Sequence, residues 1–186
     1  WPSWAMSADP VAGLAHGRTG STPSNLFRTK SVRVAGGWDE SLSSAQEYDL
    51  MFRMFKAGGR FIMSEEHLTT VRLFPEGRIS TSNEAKRRLN SFALRMRMWA
   101  HFQSATDVTD AQKQRVLNAL CNTTRWLEPF DGAGAAEGYR ALSEAGYIPT
   151  PDVQIPRWFV QASRVLGVQR AAKWRRVAQQ WMPSKP

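Results

Sequence analysis

Gly36-Gly37-Trp38-Asp39-Glu40, followed closely by Gln46-Glu47-Tyr48-Asp49-Leu50, sets the tightest limits on how this chain can fold. A glycine pair stops a preceding helix, because glycine enters the left-handed region without a steric penalty. The polar loop from Asp39 to Ser44 must then run into an acidic helix start, and Ser44-Ala45-Gln46-Glu47 has the spacing of a capping box. No other stretch concentrates carboxylates in this way.

The surrounding segments read as a mixed α/β portion. Residues 1–24 mix Pro, Gly, Ser and Thr with scattered apolar groups and read as irregular. Within them His16-Gly17-Arg18-Thr19-Gly20-Ser21 lacks the lysine and spacing of a phosphate-binding loop, and a plain loop is the simpler reading. Asn25 to Arg28 suits a short strand, and Thr29 can cap a brief helix ending at Gly36. The next helix should run from near Ser44 to Ala57 and stop at Gly58-Gly59. Its polar stripe is only Asp49, Arg53 and Lys56, at i, i+4 and i+7, so most of its sides should be buried. Arg60–Met63 and Leu68–Leu73 then read as strands.

Beyond residue 80 the pattern turns helical. Ser82 can cap a long helix to about Phe102, with Leu89, Phe92, Ala93, Met96, Trp99 and Ala100 on its apolar face. Thr109-Asp110-Ala111-Gln112 is a second capping box, opening a helix that buries Val116, Leu117, Leu120 and Cys121. Glycines at 131–134 make a joint before a short helix from Ala135 to Ala145. Pro149, Pro151 and Pro156 make a stiff connector, and two last helices, Arg157–Leu166 and Val168–Met182, break at Gly167. The expected divisions are an α/β portion over 1–80, a helical extension over 81–150 and a basic amphipathic end over 151–186.

Composition narrows the partners. With 42% hydrophobic residues and eight tryptophans among 186, the chain can build a core. Cys121 is its only cysteine, which rules out an intrachain disulfide or a cysteine zinc cluster and suits a reducing compartment. No apolar run approaches the roughly 20 residues of a membrane span. The net charge of +9 calls for an anionic neighbour. It is concentrated at the end: residues 151–186 hold seven basic groups (Arg157, Arg164, Arg170, Lys173, Arg175, Arg176, Lys185) against Asp152. That segment suits an amphipathic pair packed on its own core, a helix pair on an anionic membrane surface or, with no recognised motif in support, a nucleic-acid contact.

Glu47 and Asp49 lie two residues apart, about 200° around a helix, so they cannot act as one carboxylate pair. Asp49 should face Arg53 one turn on, leaving Glu47 as the acid free to act as a general base, or merely to close the capping box.

The run from Ser24-Asn25-Leu26-Phe27-Arg28 through Gly36-Gly37-Trp38-Asp39-Glu40-Ser41-Leu42, Gln46-Glu47-Tyr48-Asp49-Leu50-Met51-Phe52-Arg53-Met54 and Gly58-Gly59-Arg60-Phe61 resembles the acceptor-side half of family 2 glycosyltransferases. In that family a "GGFDE"-like turn precedes an "EDYDLWLRL"-like helix start. The resemblance covers roughly residues 20–80. It implies a partial GT-A, Rossmann-like α/β fold and an inverting transfer of sugar from a nucleotide-sugar donor to a glycan or lipid-linked acceptor. It further implies that Glu47 is the base, that Trp38, Asp39 and Glu40 border the substrate pocket, and that Gln46 stands where the family commonly has a first acid. Two departures accompany it. Phe74 stands where the family often has a histidine, with His67 ahead of the strand and suited to surface or packing, and no Asp-x-Asp occurs in the chain. The Mg2+ or Mn2+ of the full-length enzyme would then be held by a nucleotide-binding half expected upstream of Trp1, and this chain alone should not transfer sugar. A cytoplasmic protein, at the inner face of the membrane if the basic end binds lipid, is the matching expectation.

Overall fold

The computed structural model describes residues 9–20, 22–62, 64, 83–152 and 154–181, the stretch 175–181 by its backbone alone. The regular elements among them are α1 (Pro10–His16), a 3-10 turn (Thr22–Ser24), α2 (Thr29–Val34), α3 (Gln46–Lys56), α4 (Glu84–Phe102), α5 (Asp110–Leu127), α6 (Gly132–Glu144), α7 (Arg157–Leu166) and α8 (Val168–Trp181). All are helical, and this overturns the expected α/β, GT-A-like fold. Asn25–Arg28 is coil with Leu26 fully exposed, and residues 60–62 are coil with Ile62 exposed. Each stretch has strand-like composition, but among the described residues neither pairs with a partner strand, and Leu26 and Ile62 stay uncovered. The expected strand Leu68–Leu73, with His67 and Phe74, lies outside the described residues.

The chain forms two compact units, Trp1–Val116 and Leu117–Pro186, divided within α5. In the first, α1 corrects the reading of residues 1–24 as irregular. Asp9 caps this helix, its Oδ1 accepting from the amides of Val11 and Ala12 at 2.9 and 3.2 Å, with Pro10 in the first turn. Its buried Val11, Ala12 and Leu14 join Leu50, Met51 and Phe52 of α3 and Phe92, Leu94, Met98 and Phe102 of α4 in the core. Phe102 meets Phe52 and Phe55 at ring-centre distances of 5.8 and 5.7 Å. The buried face of α4 is therefore rotated from the expected one, leaving Leu89 exposed and taking Arg95 inside. Asn83 caps α4, accepting from the Lys86 amide at 3.0 Å.

In the second unit Leu120, Leu127, Leu142, Ile155 and Phe159 are fully enclosed. At the start of α5, within the first unit, the Thr109 capping box forms as read: the Gln112 amide donates to Thr109 Oγ1 at 3.3 Å and the Thr109 amide to Gln112 Oε1 at 2.9 Å. Val116, Leu117, Leu120 and Cys121 are buried as expected. Their helix also buries Asn118, Asn122, Thr123 and Thr124. The two asparagines hold the proline-rich connector. Asn118 Nδ2 donates to Thr150 Oγ1 at 3.0 Å and to Asp152 Oδ2 at 2.6 Å, and Asn122 Nδ2 to Gln154 Oε1 at 3.3 Å.

Candidate functional site

α2 ends as its sequence requires. The Gly36 amide donates to the Arg33 carbonyl at 3.0 Å and the Gly37 amide to the Val32 carbonyl at 2.9 Å, the paired bonds of a Schellman motif. Both glycines have positive φ, 82° and 73°. The turn delivers Trp38, half exposed, whose ring meets Phe27 edge-on at 6.2 Å. Asp39 Oδ1 accepts from the Ser41 hydroxyl at 2.6 Å and the Ser41 amide at 3.0 Å, and these bonds hold its carboxyl below the usual carboxylate range. Glu40 is exposed.

The capping box expected at Ser44 does not form. α3 starts one residue later than the box requires, with Ala45 as its N-cap at φ 60° and no side-chain bond to the first amides. Ser44 Oγ is instead the acceptor for Asn90 Nδ2 of α4 at 3.1 Å. Gln46 turns its amide back onto the Leu42 carbonyl. Among the described residues Glu47 makes no side-chain hydrogen bond or ion pair, and it sits partly exposed in the uncapped first turn. A negative charge there faces the positive end of the helix.

Asp49 has the opposite surroundings. It is 1% exposed, its Oδ2 2.8 Å from Arg53 Nε and its Oδ1 2.7 Å from Arg97 Nη2 of α4. The Arg97 nitrogen lies off the hydrogen-bonding direction of Oδ1, so that contact is a close ion pair without a directed bond. Arg53 also reaches the Ala35 carbonyl at the end of α2. The Asp49–Arg53 pairing read from the sequence is thus present, and it fixes the glycine turn to α3.

Tyr48 and Arg95 secure the loop after α1. The Tyr48 hydroxyl has the Gly17 and Gly20 carbonyls at 2.7 and 2.9 Å, and Arg95 Nε donates to the Ala15 carbonyl at 3.0 Å. Burial pushes Tyr48 up to about 12 and pulls Arg95 down to about 10. The loop 16–20 follows a helix C-terminus and turns carbonyls, not amides, toward these side chains, which suits a cation and disfavours a phosphate. Neither partner stood out in the sequence; an arginine on the apolar side of α4 was the available signal.

The acids do not converge on a metal. Asp39 is engaged by Ser41 and Asp49 by two arginines, and among the described residues no three metal-ligating side chains gather. These residues do not fit a Mg2+ or Mn2+ site. Among the described residues, no helix is long and apolar enough to cross a membrane. In comparison with known proteins, the chain matches no family model, no curated protein and no solved structure.

Proposed function

We propose that the first unit carries the acceptor side of an inverting sugar transfer, with Glu47 as the general base. The observation that carries this reading is the contrast between two acids on one helix: Asp49 is buried between Arg53 and Arg97, whereas Glu47 is unengaged in an uncapped first turn. In the reaction an acceptor hydroxyl gives its proton to the Glu47 carboxylate while its oxygen attacks the anomeric carbon of a nucleotide-sugar. The bond to the diphosphate breaks and its electron pair leaves with that group. Trp38, Asp39 and Glu40 border the acceptor, and Gln46 positions the helix start. The left-handed Ala45 lends support, since backbone strain gathers at functional positions. Stabilising the leaving diphosphate needs cationic groups that these residues do not supply, so the chain is inactive alone and acts with a nucleotide-binding half. The site belongs to the cytoplasmic side, at the inner face of the membrane.

The experiment is turnover of nucleotide-sugars by the chain joined to a nucleotide-binding half. Glu47→Gln should lower the rate by roughly 10²- to 10⁴-fold with the melting temperature unchanged. Near-normal turnover in that variant would reject Glu47, and turnover by the 186-residue chain alone would reject the division of labour.

A non-catalytic basic module is the second reading, favoured by one feature: Val165 and Trp174 are 84% and 57% exposed on helices whose charged residues from 157 to 173 are all basic. Such a surface suits an anionic membrane better than nucleic acid, for which no base-reading element is present among the described residues.

A further inference from the structure

The second unit contains a cleft of about 770 Å³ where α6 meets the corner between α7 and α8. Three arginines line it, Arg140 from α6, Arg164 from α7 and Arg170 from α8, and no carboxylate does. None of the three has an ion-pair partner among the described residues. The corner is made by Gly167, whose φ of 76° and ψ of 158° only glycine adopts readily. It turns the start of α8 into the cleft, so that Val168, Gln169 and Arg170 all line it. Their amides find no backbone acceptor among the described residues, and α8 has no acid in its first turn. An uncapped helix start presents amides and the positive end of the helix dipole.

A separate observation points the same way. Ser163 lines this cleft and is 6% exposed, yet its Oγ has no hydrogen-bond partner among the described residues. A buried hydroxyl without a partner is a marked exception in folded proteins, because leaving it unpaired is unfavourable by about 1–3 kcal/mol. A ligand oxygen in the cleft would satisfy it once the side chain turns its χ1 toward that space. Leu166 and Val168 supply an apolar wall beside these donors.

We propose that this cleft binds a phosphate group, either free or carried on an apolar chain at a membrane surface. The guanidiniums and the α8 amides take the phosphate oxygens, Ser163 Oγ donates one further bond, and Leu166 and Val168 accommodate an attached apolar group. The proposal concerns the second unit alone and does not depend on the role of Glu47.

The full chain should be titrated with inorganic phosphate by calorimetry, and separately sedimented with phosphatidylcholine vesicles that contain or lack phosphatidic acid. Saturable phosphate binding is expected to weaken roughly tenfold in Arg164→Gln and in Arg170→Gln, and similarly in Arg140→Gln, the strength of one charge-assisted bond. Arg157→Gln, on α7 but outside the cleft, should change affinity less than twofold. These arginines are exposed, so circular dichroism should report an unchanged fold in every variant. Phosphate binding without any added retention by phosphatidic acid identifies a soluble phosphate ligand. Retention on phosphatidic acid vesicles that the cleft variants abolish and Arg157→Gln preserves identifies a lipid phosphate. The proposal is overturned if neither probe binds, or if Arg157→Gln weakens binding as much as the cleft variants, which would mark a diffuse basic surface.

Discussion

Asp49 of α3 and Arg97 of α4 approach to 2.7 Å, with the carboxylate enclosed and the arginine side chain half exposed. The pair is asymmetric. Asp49 is closed to water and depends on Arg53 and Arg97 for its counter-charge, whereas Arg97 can turn to water. A buried charge stripped of its partners is far more unfavourable than a surface charge stripped of the same partner.

Asp49→Asn should therefore destabilise the protein by about 3 kcal/mol, because Arg53 loses its counter-charge while still directed at the Ala35 carbonyl. Arg97→Gln should remove only about 1 kcal/mol. Urea unfolding of both variants checks the order; equal losses would show that the two charges are equally dependent on each other.

Ala45 gives a prediction of opposite sign. At φ 60° it carries a left-handed penalty of about 1–2 kcal/mol, which glycine would not. Glycine also has more freedom to lose on folding, by about 0.5–1 kcal/mol. The difference leaves Ala45→Gly more stable by about 0.5 kcal/mol, read as a small rise in the denaturation midpoint. A fall would mean that the Ala45 methyl packs usefully where it is.

These two positions also show what the sequence could and could not reveal. The Asp49–Arg53 pair, the glycine end of α2 and the Thr109 box were legible because each is local, with partners within five residues fixed by helix geometry. Ser44 looked equally local, but Asn90 from α4 competes for its hydroxyl, and Ala45 became the cap. The strand expected at Asn25–Arg28 failed for the reverse reason. Strand composition describes a residue that fits a half-buried surface, and no such surface is offered to Leu26. The missed helix α1 did have a signal in Asp9-Pro10 followed by Gly17, obscured by the polar residues around it. The cleft between Arg140, Arg164 and Arg170 had none, since it forms only when α6 packs against the α7–α8 corner from across the proline-rich connector.

All three tyrosines, Tyr48, Tyr139 and Tyr147, are held above the normal phenol range chiefly by burial. A group whose folded pKa is raised contributes stability in full below its unfolded value, near 10, and loses it as pH rises through the folded value. For Tyr48 that window runs from 10 to about 12 and is worth on the order of 2 kcal/mol. Ultraviolet titration should show almost no phenolate at pH 10 in the native protein, with ionisation arriving together with unfolding at higher pH. In Tyr48→Phe the alkaline transition should begin later. A normal titration near pH 10 with the fold intact would place the hydroxyls in water.

Asn118 supports the sharpest test of the second unit. Its Oδ1 accepts from the Tyr147 hydroxyl at 2.7 Å, while its Nδ2 lies 2.6 Å from Asp152 Oδ2, an oxygen that only a donor can approach so closely. Asp152 Oδ1 meanwhile accepts from the Gln154 and Ile155 amides at 2.7 and 2.8 Å, which fixes its orientation. Asn118→Asp would set a second carboxylate against the first. Two carboxylates sharing a site cannot both ionise, so one must hold a proton and its folded pKa rises. Its favourable contribution is complete below an ordinary carboxylate value near 4 and disappears as pH climbs through the raised one. The variant should thus approach wild-type stability at about pH 4 and fall below it by on the order of 3 kcal/mol at neutral pH. Adding Asp152→Asn to Asn118→Asp should restore most of the neutral-pH loss, because an amide can again donate across the contact. A stability deficit in Asn118→Asp that is equal at both pH values would instead mean that the site is disrupted by shape, with charge playing no part.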